Sequence, residues 1–322
     1  MGNEDFTGVG IHAATLGKSD FEPAANPQGF SGPWRSFRAD SPRVKGSFHL
    51  CVSSGRWSVT IRDLMLSEDM LLEFQQPDHL SIAWYDSISG EEFTPYRKLR
   101  AKSVWGVCSG PGGWRGIAHA GVPVRSIAIE ATPEFSREFL AREFPHKFVN
   151  PRDAFSSLMS DTEFPELRRL LRGLWPRPDD PVRSTDFYEE KVLEALRLVV
   201  DRTLACPATT PRPVTALDRE SIFSISAYID DHYTRILKVP DLARVAGMSP
   251  TKFKECFKAV TGCTLTQYIQ RRRISQAEQM LHQPSLSIEQ ISHAVGYTCV
   301  SRFSELFRRE TGLLPSEYRR GL

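Results

Sequence analysis

The sequence predicts a two-domain α+β chain, with a β-rich first half that also carries helices and an all-α C-terminal part built from two helix-turn-helix units. Three observations predict this. The 322 residues exceed the ~100–200 of a typical single domain. The stretch Ala205-Cys-Pro-Ala-Thr-Thr-Pro-Arg-Pro-Val-Thr-Ala216 has three prolines and no hydrophobic period, and all six tryptophans, Trp34 to Trp175, precede it. An internal repeat follows it. The predicted boundaries are a first domain over 1–204, a linker over 205–216 and a helical domain over 217–322.

Composition narrows the function classes. With 40% hydrophobic and 25% charged residues the chain reads as an ordinary globular protein. No apolar run approaches the ~18 residues of a membrane span, and Met1 to Phe21 lacks a basic-then-apolar signal pattern. A cytoplasmic location and no membrane partner are expected. Cys51, Cys108, Cys206, Cys256, Cys263 and Cys299 form no C-x-x-C pair and so offer no zinc-ribbon spacing, and His49, His79 and His119, near separate predicted strands, lack a paired-histidine spacing, so no metal is expected. Three of them fall in helical patterns and are expected to pack as small apolar residues. Residues 217–322 carry 15 Lys/Arg against 11 Asp/Glu, whereas the remainder carries 26 against 28. The C-terminal part is therefore the more basic one, a mild pointer to nucleic acid.

In the first half, Leu50, Val52, Trp57, Val59 and Ile61 alternate with polar residues around Ser53-Ser-Gly55, a hairpin signature. Short apolar stretches at Met70–Phe74, Leu80–Trp84, Ser103–Val107, Trp114–His119 and Val124–Ile129 read as further strands of a sandwich or small barrel. Thr132-Pro133 reads as an N-cap and first helical proline. Helices are expected over Pro165–Leu174 and about Thr185–Leu204, the latter with Tyr188, Val192, Ala195, Leu196, Val199 and Thr203 on one face.

The repeat carries the functional signal. Val239-Pro-Asp-Leu-Ala-Arg-Val-Ala-Gly247 returns as Ile288-Glu-Gln-Ile-Ser-His-Ala-Val-Gly296 at an offset of 49 residues, which becomes 50 after the glycine. Phe253 then matches Phe303, Phe257 matches Phe307, Thr261-Gly262 matches Thr311-Gly312 and Tyr268 matches Tyr318. Each copy reads as a short helix, a glycine turn and a second amphipathic helix: about 239–262 and about 288–312, joined by a connecting helix of about 264–283. Val239, Leu242, Val245 and Ala246 are the expected apolar face of the first short helix. A single unit is common in helical bundles, but a duplicated one with matching turns and phenylalanines predicts DNA reading. A rod of twenty residues spans ~30 Å, near the ~34 Å of one B-DNA turn, so both second helices can reach successive major grooves.

The second helices are expected over Pro250–Thr261 and Cys299–Thr311. Phenylalanines occupy their inner faces, leaving Thr251, Lys252, Lys254 and Glu255 in the first unit, and Val300, Ser301, Arg302 and Glu305 in the second, as candidate base readers. Lys258, Arg308, Arg309, Arg319 and Arg320 are the candidate phosphate contacts.

Residues 217–322 resemble the DNA-binding domain of the AraC/XylS family. The matching stretches are Leu242-Ala243 to Gly247-Met-Ser-Pro250; Tyr268, Arg273, Ala277 and Leu281; and Gly296-Tyr297 with Phe303, Phe307, Gly312, Pro315 and Tyr318-Arg319. The resemblance implies a seven-helix module, double-stranded promoter DNA as partner, RNA polymerase contact and activation. The eight candidate readers fall on the family's base-contacting positions. Many members carry arginine where this chain has Glu255 and Glu305, and a carboxylate cannot clamp phosphate; these two read cytosine or orient Lys252 and Arg302. Arg273, the family's usual arginine there, is expected to be partly structural.

The resemblance further implies a cupin-like first domain that binds a small-molecule effector or forms a homodimer. Trp57, Trp84, Trp105 and Trp114 are the candidate lining of an apolar effector pocket, and Arg115, His119 and Arg125 the candidate contacts to an acidic effector, set against ordinary packing and solvation. No G-x-S-x-G, P-loop or H-E-x-x-H motif occurs, and Ser109-Gly-Pro-Gly-Gly113 lacks a following lysine, so no catalytic residue, enzyme activity or cofactor is expected. Two alternatives remain open: regulation by protein contact, and a DNA-repair enzyme with an AraC-like module.

Overall fold

The computed structural model describes residues 21–53, 55–74, 79–93, 96–109, 114–145, 158, 164–205 and 214–320. Most of the expected linker, residues 206–213, lies outside them, as do residues 110–113 of the glycine-rich loop. The chain forms two compact units, one of Met1–Glu92 and Leu99–Thr209, the other of Phe93–Lys98 and Thr210–Leu322.

The first unit is β-rich. Its strands are β1 (Glu22–Ala24), β2 (Trp34–Asp40), β3 (Val44–Ser53), β4 (Trp57–Leu66), β5 (Met70–Phe74), β6 (His79–Ser87), β7 (Gly90–Phe93), β8 (Arg97–Leu99, its first two residues grouped with the other unit), β9 (Ser103–Ser109), β10 (Trp114–Ala118) and β11 (Val124–Ala131). They form a seven-stranded sheet of order β1-β2-β3-β4-β11-β6-β9 and a four-stranded sheet of order β5-β10-β7-β8. The expected hairpin is β3–β4, with Ser53 opposite Trp57. β1, β2, β7 and β8 escaped the sequence reading. Trp34–Asp40 mixes charges into its alternation, and the other three are only three or four residues long.

Among the described residues, helices α1 (Pro133–Glu143), α2 (Pro165–Gly173) and α3 (Thr185–Ala205) add to this core. Thr132 caps α1 by accepting from the Phe135 amide at 3.3 Å. Trp57, Val59, Ile61, Ile127 and Ile129 from one sheet face share a single core with Tyr188, Val192, Ala195, Leu196 and Val199 of α3. Thr203, expected on that face, is half-buried and bonds back to the Val199 carbonyl.

The second unit is helical: α4 (Ala216–His232), α5 (Val239–Val245), α6 (Pro250–Thr261), α7 (Leu265–Leu281), α8 (Ile288–Ala294), α9 (Val300–Thr311) and α10 (Pro315–Arg320). It contains two hydrophobic cores. Ile222, Ile225, Ile229, Leu242, Phe253, Phe257, Val260, Leu265 and Tyr268 form one; Ile274, Ala277, Leu281, Ile291, Val295, Phe303, Leu306 and Phe307 form the other. α7 thus gives its first turns to one core and its last turns to the other. Its 17 residues span about 25 Å, shorter than the twenty-residue rod the sequence suggests, because Thr264 is its N-cap and His282 and Gln283 lie beyond its last turn.

Phe93–Lys98 completes this unit. The Tyr96 amide donates to the Tyr268 hydroxyl, Lys98 bonds Glu278 at 2.5 Å, and the Arg272 guanidinium lies over the rings of Phe93, Tyr96 and Tyr233 at 5.1–5.4 Å. These six residues fall in the first domain by the sequence boundaries of 1–204.

Two expectations are corrected. Val245 is 75% exposed rather than part of the α5 apolar face, because α5 is only seven residues long and buries Leu242 and Ala243. Of the cysteines expected to pack in helices, Cys256 alone sits buried within one; Cys263 is buried in the turn after α6, and Cys299 is exposed at the start of α9.

Candidate nucleic-acid interface

Local chemistry fixes the two units in the same way. Gly247 and Gly296 leave α5 and α8 at φ of 66° and 90°, a left-handed conformation that side chains resist. Ser249 caps α6 by accepting from the Lys252 amide at 3.3 Å, with Pro250 in the first turn. The second copy departs here: Cys299 makes no side-chain cap to α9. At their far ends the copies converge again. Gly262 and Gly312 close α6 and α9 at φ of 74° and 83°. Thr261 bonds the carbonyls of Phe257 and Cys263, and Thr311 those of Phe307 and Leu313. Phe257 meets Tyr268 edge-on at 5.4 Å, and Phe307 meets Tyr318 at 5.5 Å.

The buried positions of α6 are Phe253, Cys256, Phe257, Val260 and Thr261, and those of α9 are Phe303, Leu306 and Phe307. The opposite faces carry the candidate readers. Thr251, Lys254, Glu255, Ser301, Arg302 and Glu305 are exposed, while Lys252 and Val300 are half-buried. Arg302 pairs with Glu305 at 3.4 Å on the same helix face. Lys252 pairs with Asp218 of α4 at 2.7 Å rather than with Glu255, and that contact, first, holds the Asp218 carboxyl below its ordinary range. Helical spacing cannot reveal such a partner, because Asp218 is 34 residues away.

Among the candidate phosphate contacts, Lys258, Arg308, Arg309 and Arg320 are exposed. Arg309 also bonds Gln270 of α7 at 2.9 Å and lies 3.2 Å from Glu310, which ties α9 to the connecting helix. Arg319 is half-buried, and its Nε and Nη2 make no hydrogen bond to the protein. Arg273, expected to be partly structural, spends all three guanidinium nitrogens on backbone: Nε to Tyr233 O at 2.8 Å, Nη1 to Gly296 O at 2.9 Å and Nη2 to Arg235 O at 3.1 Å.

The candidate effector residues do not converge. Trp57 and Trp84 are buried in the core shared with α3, and the Trp57 indole donates to Glu189 at 3.1 Å. Trp105 lies in a different cluster, with Leu66 and Val124, and its indole donates to Ser103. Register explains the separation: Trp84 pairs with Val104 and Ala83 with Trp105, so the two tryptophans point to opposite faces. Arg115 is exposed; His119 contacts Asp69 at 2.9 Å; the Trp114 side chain lies outside the described residues. Among the described residues no group of three or more His, Cys, Asp or Glu is placed to hold a metal, and no helix is long and apolar enough to cross a membrane.

Residues 242–321 match a family model described as a helix-turn-helix domain. The chain is 33% identical over 105 residues to the HTH-type transcriptional regulator ExsA of Pseudomonas aeruginosa, covering 33% of this chain and 38% of that protein. It is 32% identical over 114 residues to the bifunctional transcriptional activator/DNA repair enzyme AdaA of Bacillus subtilis, covering 35% of this chain and 54% of that one. The chain thus spans only about four-tenths to half the length of these relatives. The solved DNA-binding domain of the global transcriptional factor AdpA, in complex with a target DNA, aligns at 26% identity and a TM-score of 0.30, covering 31% of this chain and 91% of that one. The part of this chain that spans residues 242–321 is a helix-turn-helix domain.

Proposed function

We propose that the protein is a sequence-specific transcription regulator that reads two successive major-groove segments of double-stranded promoter DNA with one chain. Thr251, Lys252, Lys254 and Glu255 read one segment, and Val300, Ser301, Arg302 and Glu305 the other. Lys258, Arg308, Arg309, Arg319 and Arg320 hold phosphates. The observation that carries this reading is the duplicated unit built onto the two halves of one helix, α7, which contributes to both cores. Tethering two weak readers raises the effective concentration of the second once the first is bound.

In the finer reading the first unit is a small-molecule effector domain and a homodimerisation element, and the regulator activates by touching RNA polymerase. Cys51 is buried in the core, and burial pushes its thiol pKa up to about 12, away from the thiolate that a cysteine-based repair enzyme needs; the side chains of Cys108 and Cys206 lie outside the described residues.

Footprinting of the full chain on a selected promoter fragment tests the reading. Two protected major-groove segments about one helical turn apart, on one face, are expected. Protection of a single segment would remove the two-groove claim.

A further inference from the structure

One face of the seven-stranded sheet changes character along its strands. On β2, β3, β4 and β11 the cross-strand row Trp34–Cys51–Val59–Ile129 is apolar and belongs to the core under α3. The next row is Ser36–His49–Ile61–Ile127, and the one after it is Arg38–Ser47–Asp63–Arg125. A cleft of about 950 Å³ is lined by Ser36 and His49 of the second row and by all four residues of the third, and is bounded also by Ala24, Pro27 and Met65.

The floor of the cleft is built, not incidental. His49 is 4% exposed and Ser36 is 5%. The imidazole links the Ser36 hydroxyl at 2.8 Å to the Ser47 hydroxyl at 3.0 Å and stacks on Phe30 at 3.9 Å. Ser36 also donates to Asn26 at 2.7 Å, and Asn26 donates to the Trp34 carbonyl at 2.8 Å. Burial pulls the His49 pKa down to about 4, so the floor is polar but uncharged near neutral pH. Charge sits on the walls: Arg38, Lys45 and Arg125 against Asp63 alone. Arg125 is committed to Asp63 at 3.3 Å, and Lys45 lies 3.8 Å from Asp40. Arg38 has no ion-pair partner among the described residues. Met65, 42% exposed, presents an apolar wall.

We propose that this cleft binds a small organic acid, its carboxylate taken by Arg38 and its apolar body lying against Met65 and Pro27. A guanidinium matches a carboxylate in bidentate geometry, and a cleft that combines apolar walls with a few convergent polar groups suits a compact amphipathic anion. The proposal extends the effector reading and rests on it for any consequence at the promoter. It places the ligand away from the tryptophans that the sequence singled out.

The probe is 3-phenylpropionate, with 3-phenylpropanamide as its uncharged match, in calorimetry and thermal unfolding of the full chain. The acid is expected to bind and to raise Tm with concentration, since a ligand of the native state stabilises it, while the amide does neither. Arg38→Gln, at an exposed position that leaves the core intact, is expected to weaken acid binding by about tenfold or more. Equal binding of acid and amide, no binding at millimolar concentration, or undiminished binding by R38Q overturns the assignment. Acid binding lost in R38Q, with promoter affinity unchanged by the acid, upholds the cleft and defeats the effector reading. A different metabolite that shifts promoter affinity equally in the parent and in R38Q, with no binding of the probe acid, does the reverse.

Discussion

The guanidinium of Arg273 in α7 donates to the carbonyl of Gly296, 23 residues away, at 2.9 Å, and its ring neighbour Tyr297 lies 5.2 Å beneath it. The same side chain holds Tyr233 and Arg235 beyond the end of α4. One residue therefore fixes the connecting helix, the turn of the second helix-turn-helix unit and the loop after α4 together. Arg273→Ala is expected to lower stability by about 3 kcal/mol, because it strands three carbonyls that accept charge-assisted bonds. Arg273→Lys should recover less than half of that loss, since an ammonium cannot reproduce the fork. Urea unfolding followed by helical CD measures both, and a lysine variant as stable as the parent would contradict the forked role.

The two turn glycines are expected to differ in cost. At Gly247 an added Cβ meets nothing within 4 Å, so Gly247→Ala pays only for the positive φ, about 1 kcal/mol. At Gly296 the Cβ lies 2.6 Å from the Thr234 carbonyl and 3.1 Å from the Arg273 guanidinium carbon. Gly296→Ala should therefore cost about 3 kcal/mol or more. Equal thermal shifts for the two variants would refute the difference in packing.

Base reading and phosphate contact are separable in binding experiments. Arg302→Ala is expected to weaken promoter binding by ~1–3 kcal/mol and relax sequence preference at one position. Arg308, exposed on α9, tests phosphate contact more cleanly than Arg309, which also braces α9 through Gln270. Arg308→Ala should weaken all sequences alike and reduce the slope of log K against log salt by about 1. An unaltered salt slope would remove Arg308 from the phosphate set.

Lys252 is held by Asp218 at 2.7 Å in the unbound chain. Asp218→Asn frees its ammonium and is expected to tighten DNA binding at low salt, with the salt slope steeper by up to about 1. Binding titrations at several salt concentrations measure this, and an unchanged slope would mean that Lys252 does not engage DNA.

The buried His49 sets a pH dependence. With its folded pKa near 4 and an unfolded value of about 6.5, the unfolded chain binds the extra proton between those limits. Stability should rise with pH from about 4 to 6.5 and gain nothing further from this group above that range, a contribution of at most roughly 3 kcal/mol. His49→Gln should flatten that segment of the curve, measured as urea midpoints at pH 4.5 and pH 7. A variant with the parent's slope would assign the dependence elsewhere.

The site was legible in the sequence to the extent that it repeats. Matching glycines and phenylalanines at offsets of 49 and 50 fall in matching turns and cores, and the second helices occupy Pro250–Thr261 and Val300–Thr311. The partners of the exposed charges were not legible. Asp218 beside Lys252 and Gln270 beside Arg309 are meetings between elements, and helical periodicity reports only neighbours three or four residues apart. In the first unit, alternating strands such as β3 and β4 announced themselves, while three-residue strands such as β1 and β8 were too short to show a period.

What the sequence by itself determined is the repeated units' local grammar: the turn glycines, the span of the second helix in each unit, and the phenylalanines that these helices bury. Capping hydroxyls, positive-φ glycines and apolar spacing act within one or two turns of the chain. Only the tertiary structure decided that Phe93–Lys98 joins that unit, that Trp84 and Trp105 turn to opposite sheet faces, and that Arg38, Ser47 and His49 share a cleft. Those outcomes depend on strand register and on long-range packing, where a shift of one residue inverts the face and no local preference records the choice.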